Sequence, residues 1–242
     1  MSVPEVRTLP SPAGAERYLA VDKPAGRSVH GPGGLLAELR AAHGSGLALV
    51  HRLDKETSGV LLLAKDAGAL RAAHAAWAAD VTKTYLARTR GVPSPREGIV
   101  DAPLLEHRTS RPELLRRALS AAYGKARAGH LLLGHTVRAI PPVPPPGRTA
   151  AHPAGRPART RYRVVRAEGG SALVELVPEQ GRMHQLRVHL LALGTPLLGD
   201  PAYDAARRSG GPEPWLRAVR LDWRSPPGRP AGTVWTWEAP AP

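Results

Sequence analysis

The densest group of side chains capable of chemistry lies in the nine residues His51–Gly59. Within it, Asp54 stands between the basic residues His51 and Arg52 on one side and Lys55 on the other, and neighbouring positive charge favours the ionised form of a carboxyl group. An ionised aspartate can act as a nucleophile or a base. A turn aspartate more often caps a backbone amide, so these residues by themselves leave both roles open.

A second polar group opens a helix that the hydrophobic pattern predicts over residues 183–193. The helical period puts His184 and Arg187 on one side, and Gln185 and His189 on the neighbouring side. An arginine held on a helix can clamp a carboxylate through two parallel hydrogen bonds. The alternative is a basic helical face that only contacts solvent.

Regular elements are predicted beside both groups. The apolar run Val60–Ala64 predicts a buried strand directly after the first group, and Asp66 suits the N-cap of the helix that follows. Thr82–Thr89 alternates as a strand does, with Tyr85 on the same face as Lys83. The polar groups therefore lie next to elements that can hold them rigidly.

The remaining pattern favours strands over helices. A helix is predicted over residues 35–43, and Gly194 suits the end of the helix at 183–193. The further predicted strands are Tyr18–Val21, Arg159–Val165, Ala172–Val177, Trp215–Trp223 and Thr233–Glu238. Because strands often follow one another directly, we expect an α+β fold, with a central mixed, mostly antiparallel sheet flanked by helices and an active-site cleft.

Positive charge points to a polyanionic partner. The chain of 242 residues has 34 Lys and Arg against 20 Asp and Glu, a net charge of +14. Residues 106–166 alone hold 13 Lys and Arg against two acids. Such a distribution is typical of nucleic-acid binding, and RNA or DNA is the leading partner. A biased amino-acid composition is the competing explanation.

Length and composition set further expectations. We expect one catalytic domain over residues 1–242, with a loose lead-in at 1–16 and an exposed Arg- and Pro-rich insertion at 107–157. The insertion either contributes affinity for the nucleic acid or is merely tolerated on the surface. A helix is predicted inside this insertion, near residues 113–123. The absence of cysteine and of long apolar runs leads us to expect a cytoplasmic protein that does not enter a membrane.

The two polar groups, in this order along the chain, resemble the signature segments of RluA-type pseudouridine synthases. His51–Gly59 reads HRLDKETSG and resembles the family's HRLDxxTSG segment. Gly181–His189 reads GRMHQLRVH and resembles its GRxHQ(L/I)RxH segment. Shorter matches are Val21–Gly26, Lys83–Ala87, Asp101–Leu104, Ala158–Thr160 and Gly194–Tyr203. The lead-in is too short for the S4-like RNA-binding domain of many relatives, so we expect a stand-alone catalytic domain.

The resemblance implies an enzyme that breaks the N1–C1′ bond of a uridine in RNA, turns the uracil and rejoins it through C5. Asp54 matches the essential aspartate, Arg187 matches the arginine that pairs with it, and Tyr85 matches the tyrosine that contacts uracil and is implicated in proton removal at C5. Arg52 matches a position that helps to extrude the target nucleotide from its stack. The other residues implied to bind substrate are His51, Arg182, His184 and Gln185.

The resemblance further implies a monomer that needs no metal and no organic cofactor and acts on structured rRNA or tRNA. Two hypotheses from other classes stay open. The concentrated charge is also expected of a non-catalytic RNA-binding or ribosome-associated protein on the same scaffold. A glycosidase would need a second carboxylate beside Asp54, for which Glu56 is the candidate by proximity.

Overall fold

The computed structural model describes residues 6–31, 33–106, 130–133, 136–139, 149–151, 155–207 and 213–240. The predicted helix near 113–123 and most of the predicted insertion at 107–157 lie outside these ranges. In chain order the elements are β1 (Arg7–Thr8), β2 (Tyr18–Lys23), α1 (Leu35–His43), β3 (Ala48–Leu49), β4 (Ser58–Ala64), α2 (Ala67–Asp80), β5 (Val81–Arg90), β6 (Glu97–Asp101), β7 (Leu104–Glu106), β8 (His130–Leu133), β9 (Thr136–Ala139), β10 (Thr149–Ala151), β11 (Arg159–Glu168), β12 (Ser171–Pro178), α3 (Gln185–Ala192), β13 (Leu216–Arg224) and β14 (Val234–Glu238).

The chain divides into two compact units. The first unit is Met1–Leu86 with Trp215–Pro242, and the second is Ala87–Pro214. Strand β5 begins in the first unit and ends in the second. The single catalytic domain expected from the sequence stays a prediction beside this division.

Strand β4 forms the centre of the first unit. It pairs antiparallel with β2 from Gly59 to Ala64, and β1 adds to the other side of β2. At its start β4 pairs in parallel with β13, which pairs antiparallel with β14. The sheet of this unit is therefore mixed, and β4 is buried from Gly59 to Ala64, as its continuous apolar sequence predicts.

Gly59 is required where β4 meets β13. Its φ is +105°, and a Cβ placed there would lie 2.0 Å from the Ala218 carbonyl oxygen. Both the backbone conformation and the close approach of the two strands exclude a side chain. The polar segment His51–Gly59 therefore ends at a fixed point of the sheet.

Helix α2 follows β4 as predicted. The Asp66 side chain accepts a hydrogen bond from the Ala69 amide at 2.9 Å, which caps the helix. Behind the sheet, the Tyr18 ring meets three indoles edge to face, and its hydroxyl donates to the Ala69 carbonyl at 3.0 Å. These indoles belong to Trp223, Trp235 and Trp237, with ring centroids 5.2, 5.9 and 6.5 Å from that of Tyr18. Trp235 and Trp237 thus share the buried face of β14.

The lead-in is more ordered than expected. Within residues 6–16, β1 pairs with β2. Leu9 and Ala15 are buried, and the Leu9 amide donates to the Ala20 carbonyl at 2.9 Å. The prediction of a loose lead-in is wrong for this part because its apolar side chains pack onto the sheet.

The second unit contains an antiparallel arrangement of β6, β11 and β12. Strand β11 pairs with both neighbours, and Gly169 and Gly170 form the two-residue turn to β12. Both glycines have positive φ, as this tight turn requires. Strands β7 and β10 form a separate pair, as do β8 and β9.

Helix α3 begins later than predicted. It starts at Gln185 instead of Met183, because His184 adopts a left-handed conformation with φ 55°. It ends at Ala192 with Leu193 as cap, and Gly194 follows at φ 75°, as expected.

The predicted α+β class with a mixed, mostly antiparallel strand arrangement is confirmed. Among the described residues, no helix combines the length and apolar character needed to cross a bilayer.

Candidate active site

The Asp54 segment lies between β3 and β4 in the first unit. Asp54 is half-buried, and its carbonyl accepts a hydrogen bond from the Thr57 amide at 3.1 Å. Leu53 is buried beside it, whereas Arg52 is exposed. The segment thus anchors itself through Leu53 and leaves the Arg52 guanidinium in solvent, where the predicted contact with RNA requires it.

Lys23 tethers the backbone of this segment directly after Asp54. Its ammonium group is fully buried and donates to three carbonyl oxygens, those of Pro24 at 2.9 Å, Arg27 at 2.8 Å and Lys55 at 3.1 Å. The Gly26 amide donates to the same Lys55 carbonyl at 2.8 Å. Because Lys55 follows Asp54 directly, these bonds fix the backbone next to the carboxylate.

Lys23 also brings positive charge to the site. Burial lowers its pKa to about 8, and the negative charges of Glu56 and Asp54 oppose that shift. Both carboxylates therefore lie near the ammonium group, which is protonated at neutral pH. A buried cation therefore lies near Asp54, as an ionised aspartate requires.

Tyr85 faces the same site from β5. It is buried, on the same strand face as Lys83 and Ala87, as the alternation predicted. Burial raises the pKa of its phenol, and the negative charge of Asp54 raises it further. The structure therefore brings Asp54 and Tyr85 together, and Tyr85 is a neutral phenol at physiological pH.

His51 is the first residue of the segment. Its Nε2 accepts a hydrogen bond from the Leu62 amide of β4 at 3.1 Å, and its ring stacks on Trp77 of α2. Burial lowers the pKa of His51 to about 3, with a smaller effect from Lys83, so the imidazole is neutral. The contact of His51 with substrate stays a prediction.

In the second unit, the turn before α3 is fastened by Gln185. Its side-chain oxygen accepts from the Arg182 amide at 3.0 Å, and its nitrogen donates to the Arg159 carbonyl at 2.9 Å. Arg182 Nε also donates to the Pro157 carbonyl at 3.2 Å. The predicted substrate contacts of Gln185 and Arg182 stay predictions, and both residues also bind the backbone here.

Arg187 forms the strongest charge pair of the motif Gly181–His189. Its guanidinium donates two hydrogen bonds of 2.7 Å to the buried carboxylate of Asp200. The expected clamp of a carboxylate by a helical arginine is confirmed. The alternative of a solvated basic face is wrong, because α3 is buried from Gln185 to Leu190.

Asp200 in turn organises Tyr203. Its Oδ1 accepts from the amides of Ala202 at 2.8 Å and Tyr203 at 3.2 Å. The Tyr203 ring lies 5.1 Å from the Arg187 guanidinium carbon, and its hydroxyl lies 2.8 Å from His184 Nδ1. His184, Arg187, Asp200 and Tyr203 thus form one cluster at the start of α3.

Arg187 and Asp54 belong to different units, and their pairing stays a prediction. Asp200, Tyr203 and Lys23 were missed as site residues by the sequence analysis. The signal was present, since all three lie in the short motif matches Val21–Gly26 and Gly194–Tyr203.

Arg159, Arg161 and Arg163 alternate along β11 and form a row on one strand face, which is partly neutralised by carboxylates. Arg159 lies 3.1 Å from Asp101 and 3.7 Å from Glu179, and Arg163 lies 3.1 Å from Glu175. This row therefore presents less net positive charge than its sequence indicates. Within the described ranges, no three His, Cys, Asp or Glu side chains converge as a metal site requires.

Comparison with known proteins finds a match over the same segments. The family described as RNA pseudouridylate synthase matches residues 17–192. The dual-specificity RNA pseudouridine synthase RluA of Escherichia coli (strain K12) is 35% identical over 79% of this chain and 72% of its own length. The ribosomal large subunit pseudouridine synthase D of Nitrosomonas europaea is 32% identical over 94% of this chain and 60% of its own.

Among solved structures, the human RNA pseudouridylate synthase domain containing 4 superposes with a TM-score of 0.65 at 27% identity, covering 93% of this chain and 85% of that one. The chain spans less than two thirds of the length of the first curated relatives it matches, 63% in one case and 60% in another.

Proposed function

Because the chain belongs to the RNA pseudouridylate synthase family, we propose that it isomerises uridine in RNA to pseudouridine. The observation that carries the proposal is that Asp54, on a segment bound by Lys23, lies near enough to Tyr85 in the first unit for its charge to raise the pKa of the phenol. The relatives' names support RNA as the substrate.

In the proposed reaction, the N1–C1′ bond of the target uridine breaks, the uracil turns, and a C5–C1′ bond forms. C5 then loses its proton and N1 gains one, so the product is an isomer of the substrate. Asp54 is the carboxylate that enables bond cleavage. Asp54 is half-buried, and the buried Lys23 ammonium lies near enough for the two charges to interact.

Tyr85 enters this reaction as a phenol. Since its pKa is raised, forming a phenolate at neutral pH is unfavourable, and the ring serves to pack against the uracil. Arg52 is free in solvent to occupy the stack that the uridine leaves, a step that costs a few kcal/mol.

The finer parts of the proposal concern substrate and setting. We propose rRNA or tRNA as the substrate, with the ribosomal large subunit named in the description of one relative, and a cytoplasmic monomer. Mapping the pseudouridines lost from total RNA on deletion of the gene identifies the RNA and the position. Light scattering of the purified protein measures the oligomeric state.

The catalytic assignment predicts that Asp54→Asn abolishes conversion while RNA affinity changes little, because the amide keeps the shape and loses the charge. Conversion is measured by mass spectrometry of RNA from the deletion strain, and affinity by filter binding. Asp80→Asn, which removes one charge at the end of α2, is the matched control and keeps full activity. Pseudouridine formation by Asp54→Asn would overturn the assignment.

The alternative of a non-catalytic RNA-binding protein predicts no conversion by the wild-type chain. A glycosidase predicts release of free uracil, with Glu56 as second acid. The same mass-spectrometric assay separates these three outcomes.

A further inference from the structure

At the start of the Asp54 segment, Val50 and His51 are both hydrogen-bonded to Leu62 in the middle of β4. The Val50 amide donates to the Leu62 carbonyl at 3.1 Å, and the Leu62 amide donates to the His51 ring at 3.1 Å. The imidazole thus accepts a strand amide that would otherwise lack an acceptor. Leaving a buried amide unpaired costs about 1–3 kcal/mol.

The His51 ring also stacks on an aromatic side chain. The His51 ring stacks on Trp77 with centroids 5.0 Å apart and planes at 25°. The Lys83 ammonium lies 5.6 Å from the centroid of the same indole. Trp77 comes from α2 and Lys83 from β5, so three separate elements meet at the His51 side chain.

The hydrogen bond from Leu62 occupies the acceptor nitrogen of the His51 ring. A neutral imidazole has one acceptor nitrogen, and Nε2 of His51 already accepts the Leu62 amide. The proton is therefore on Nδ1, next to the Arg52 backbone, with which the ring also interacts. No acceptor remains on the ring for an RNA hydroxyl or base.

We propose that His51, Trp77 and Lys83 form a clamp that holds the backbone leading to Arg52 and Asp54, so that His51 is a positioning residue for the reaction. This inference rests on the proposed function and differs from the direct RNA contact that the family resemblance implies. A displacement of about 1 Å at a catalytic group is enough to lower a rate about a hundredfold.

The first test compares His51→Ala with His51→Gln in single-turnover assays at saturating RNA. His51→Ala loses the clamp, and we expect the rate to fall at least about tenfold while the Kd for RNA stays within about twofold. A glutamine side chain can accept from the Leu62 amide and donate toward Arg52, so His51→Gln recovers much of the rate. His43→Ala, at an exposed position of α1, is the control and leaves the rate unchanged.

A second pair of variants tests the aromatic contact if His51→Ala proves unstable. Trp77→Phe keeps a ring under His51 and retains most of the rate, whereas Trp77→Leu removes it and lowers the rate without weakening RNA binding. Weaker RNA binding with an unchanged rate at saturation, in His51→Ala or Trp77→Leu, overturns the proposal in favour of a direct RNA contact.

Amide hydrogen exchange provides a readout that does not depend on activity. The Leu62 amide and the segment from His51 to Thr57 should exchange faster in His51→Ala than in His51→Gln or His43→Ala. Equal exchange in all three contradicts the clamp. An inactive wild-type chain whose exchange pattern follows this prediction would count against the proposed function and leave the clamp supported.

Discussion

At the scale of single residues, buried charges fix the backbone within each of the two units. The Lys23 ammonium group donates its three hydrogen bonds to carbonyl oxygens, one of which belongs to Lys55, the residue after Asp54. Arg187 uses two donors on Asp200, which itself accepts from two backbone amides. Removing one partner of such a pair leaves a buried charge uncompensated, which typically costs about 3–5 kcal/mol. Each of these side chains therefore fixes the backbone around it within its own unit.

The Lys23 tether predicts a loss of activity at alkaline pH. Because burial lowers the pKa of Lys23 to about 8, the ammonium loses a proton above that pH and can satisfy only two of its three carbonyls. We expect the single-turnover rate to fall as pH rises from 7 to 9.

The stability of the protein changes in the opposite direction over this range. The folded pKa of Lys23 lies below the unfolded value of 10.5, so the unfolded chain binds more protons between about pH 8 and 10.5. The contribution of Lys23 to the free energy of unfolding therefore rises with pH. Lys23→Arg, which stays protonated, should remove the alkaline loss of rate, and Lys65→Arg, at an exposed position, should not. A loss that persists in Lys23→Arg contradicts this explanation.

At the scale of elements, β4 determines where the Asp54 segment ends. Its apolar run is buried between β2 and the core, and its first residues pair with β13. Helix α2 then covers the strand and supplies Trp77 to the His51 ring. One strand and its neighbours thus set the position of both ends of the segment.

The junction of β4 with β13 predicts a large effect of Gly59→Ala. The added Cβ would meet the Ala218 carbonyl oxygen, and φ of +105° already disfavours alanine. We expect a loss of at least about 2 kcal/mol in the free energy of unfolding, measured in denaturant.

Gly44→Ala is the matched control for this substitution. Gly44 has φ of +112° at the end of α1, with open space where the Cβ would be. The loss in free energy of unfolding of Gly44→Ala measures the effect of the backbone conformation alone, about 1 kcal/mol. Equal losses in the two variants would show that the strand contact contributes nothing.

At the scale of the whole molecule, charge is unevenly distributed. Residues 107–148 contain eight Arg and Lys against one Glu. By contrast, Arg159 and Arg163 of β11 face carboxylates. A large excess of basic over acidic residues therefore belongs to the predicted insertion.

The insertion is predicted to contribute RNA affinity. Since Glu106 lies opposite Thr149 in the β7–β10 pair, residues 107–148 can be replaced by Asn-Gly, which suits a two-residue turn. The shortened chain should bind RNA more weakly and with a flatter dependence on salt, because fewer phosphates are neutralised. Binding isotherms at several salt concentrations test this, and the thermal unfolding midpoint checks that the fold persists. Unchanged affinity and slope would contradict the role.

The sequence alone determined the elements and the site residues that belong to short, local patterns. The buried run of β4, the Asp66 cap of α2, the alternation of β5 and the pairing motif around Arg187 are all visible there because they depend on neighbours a few residues apart. The signature segments His51–Gly59 and Gly181–His189 also indicate the family by themselves.

Only the tertiary structure decided which partners these residues have. Asp200 for Arg187, three carbonyls for Lys23, and Leu62 with Trp77 for His51 come from segments that are distant in sequence or carry no distinctive pattern. The burial of α3 and of Leu9 likewise depends on what packs against them. Local spacing fixes which face a side chain is on, but the charge or ring that meets it is set by how the chain folds back on itself.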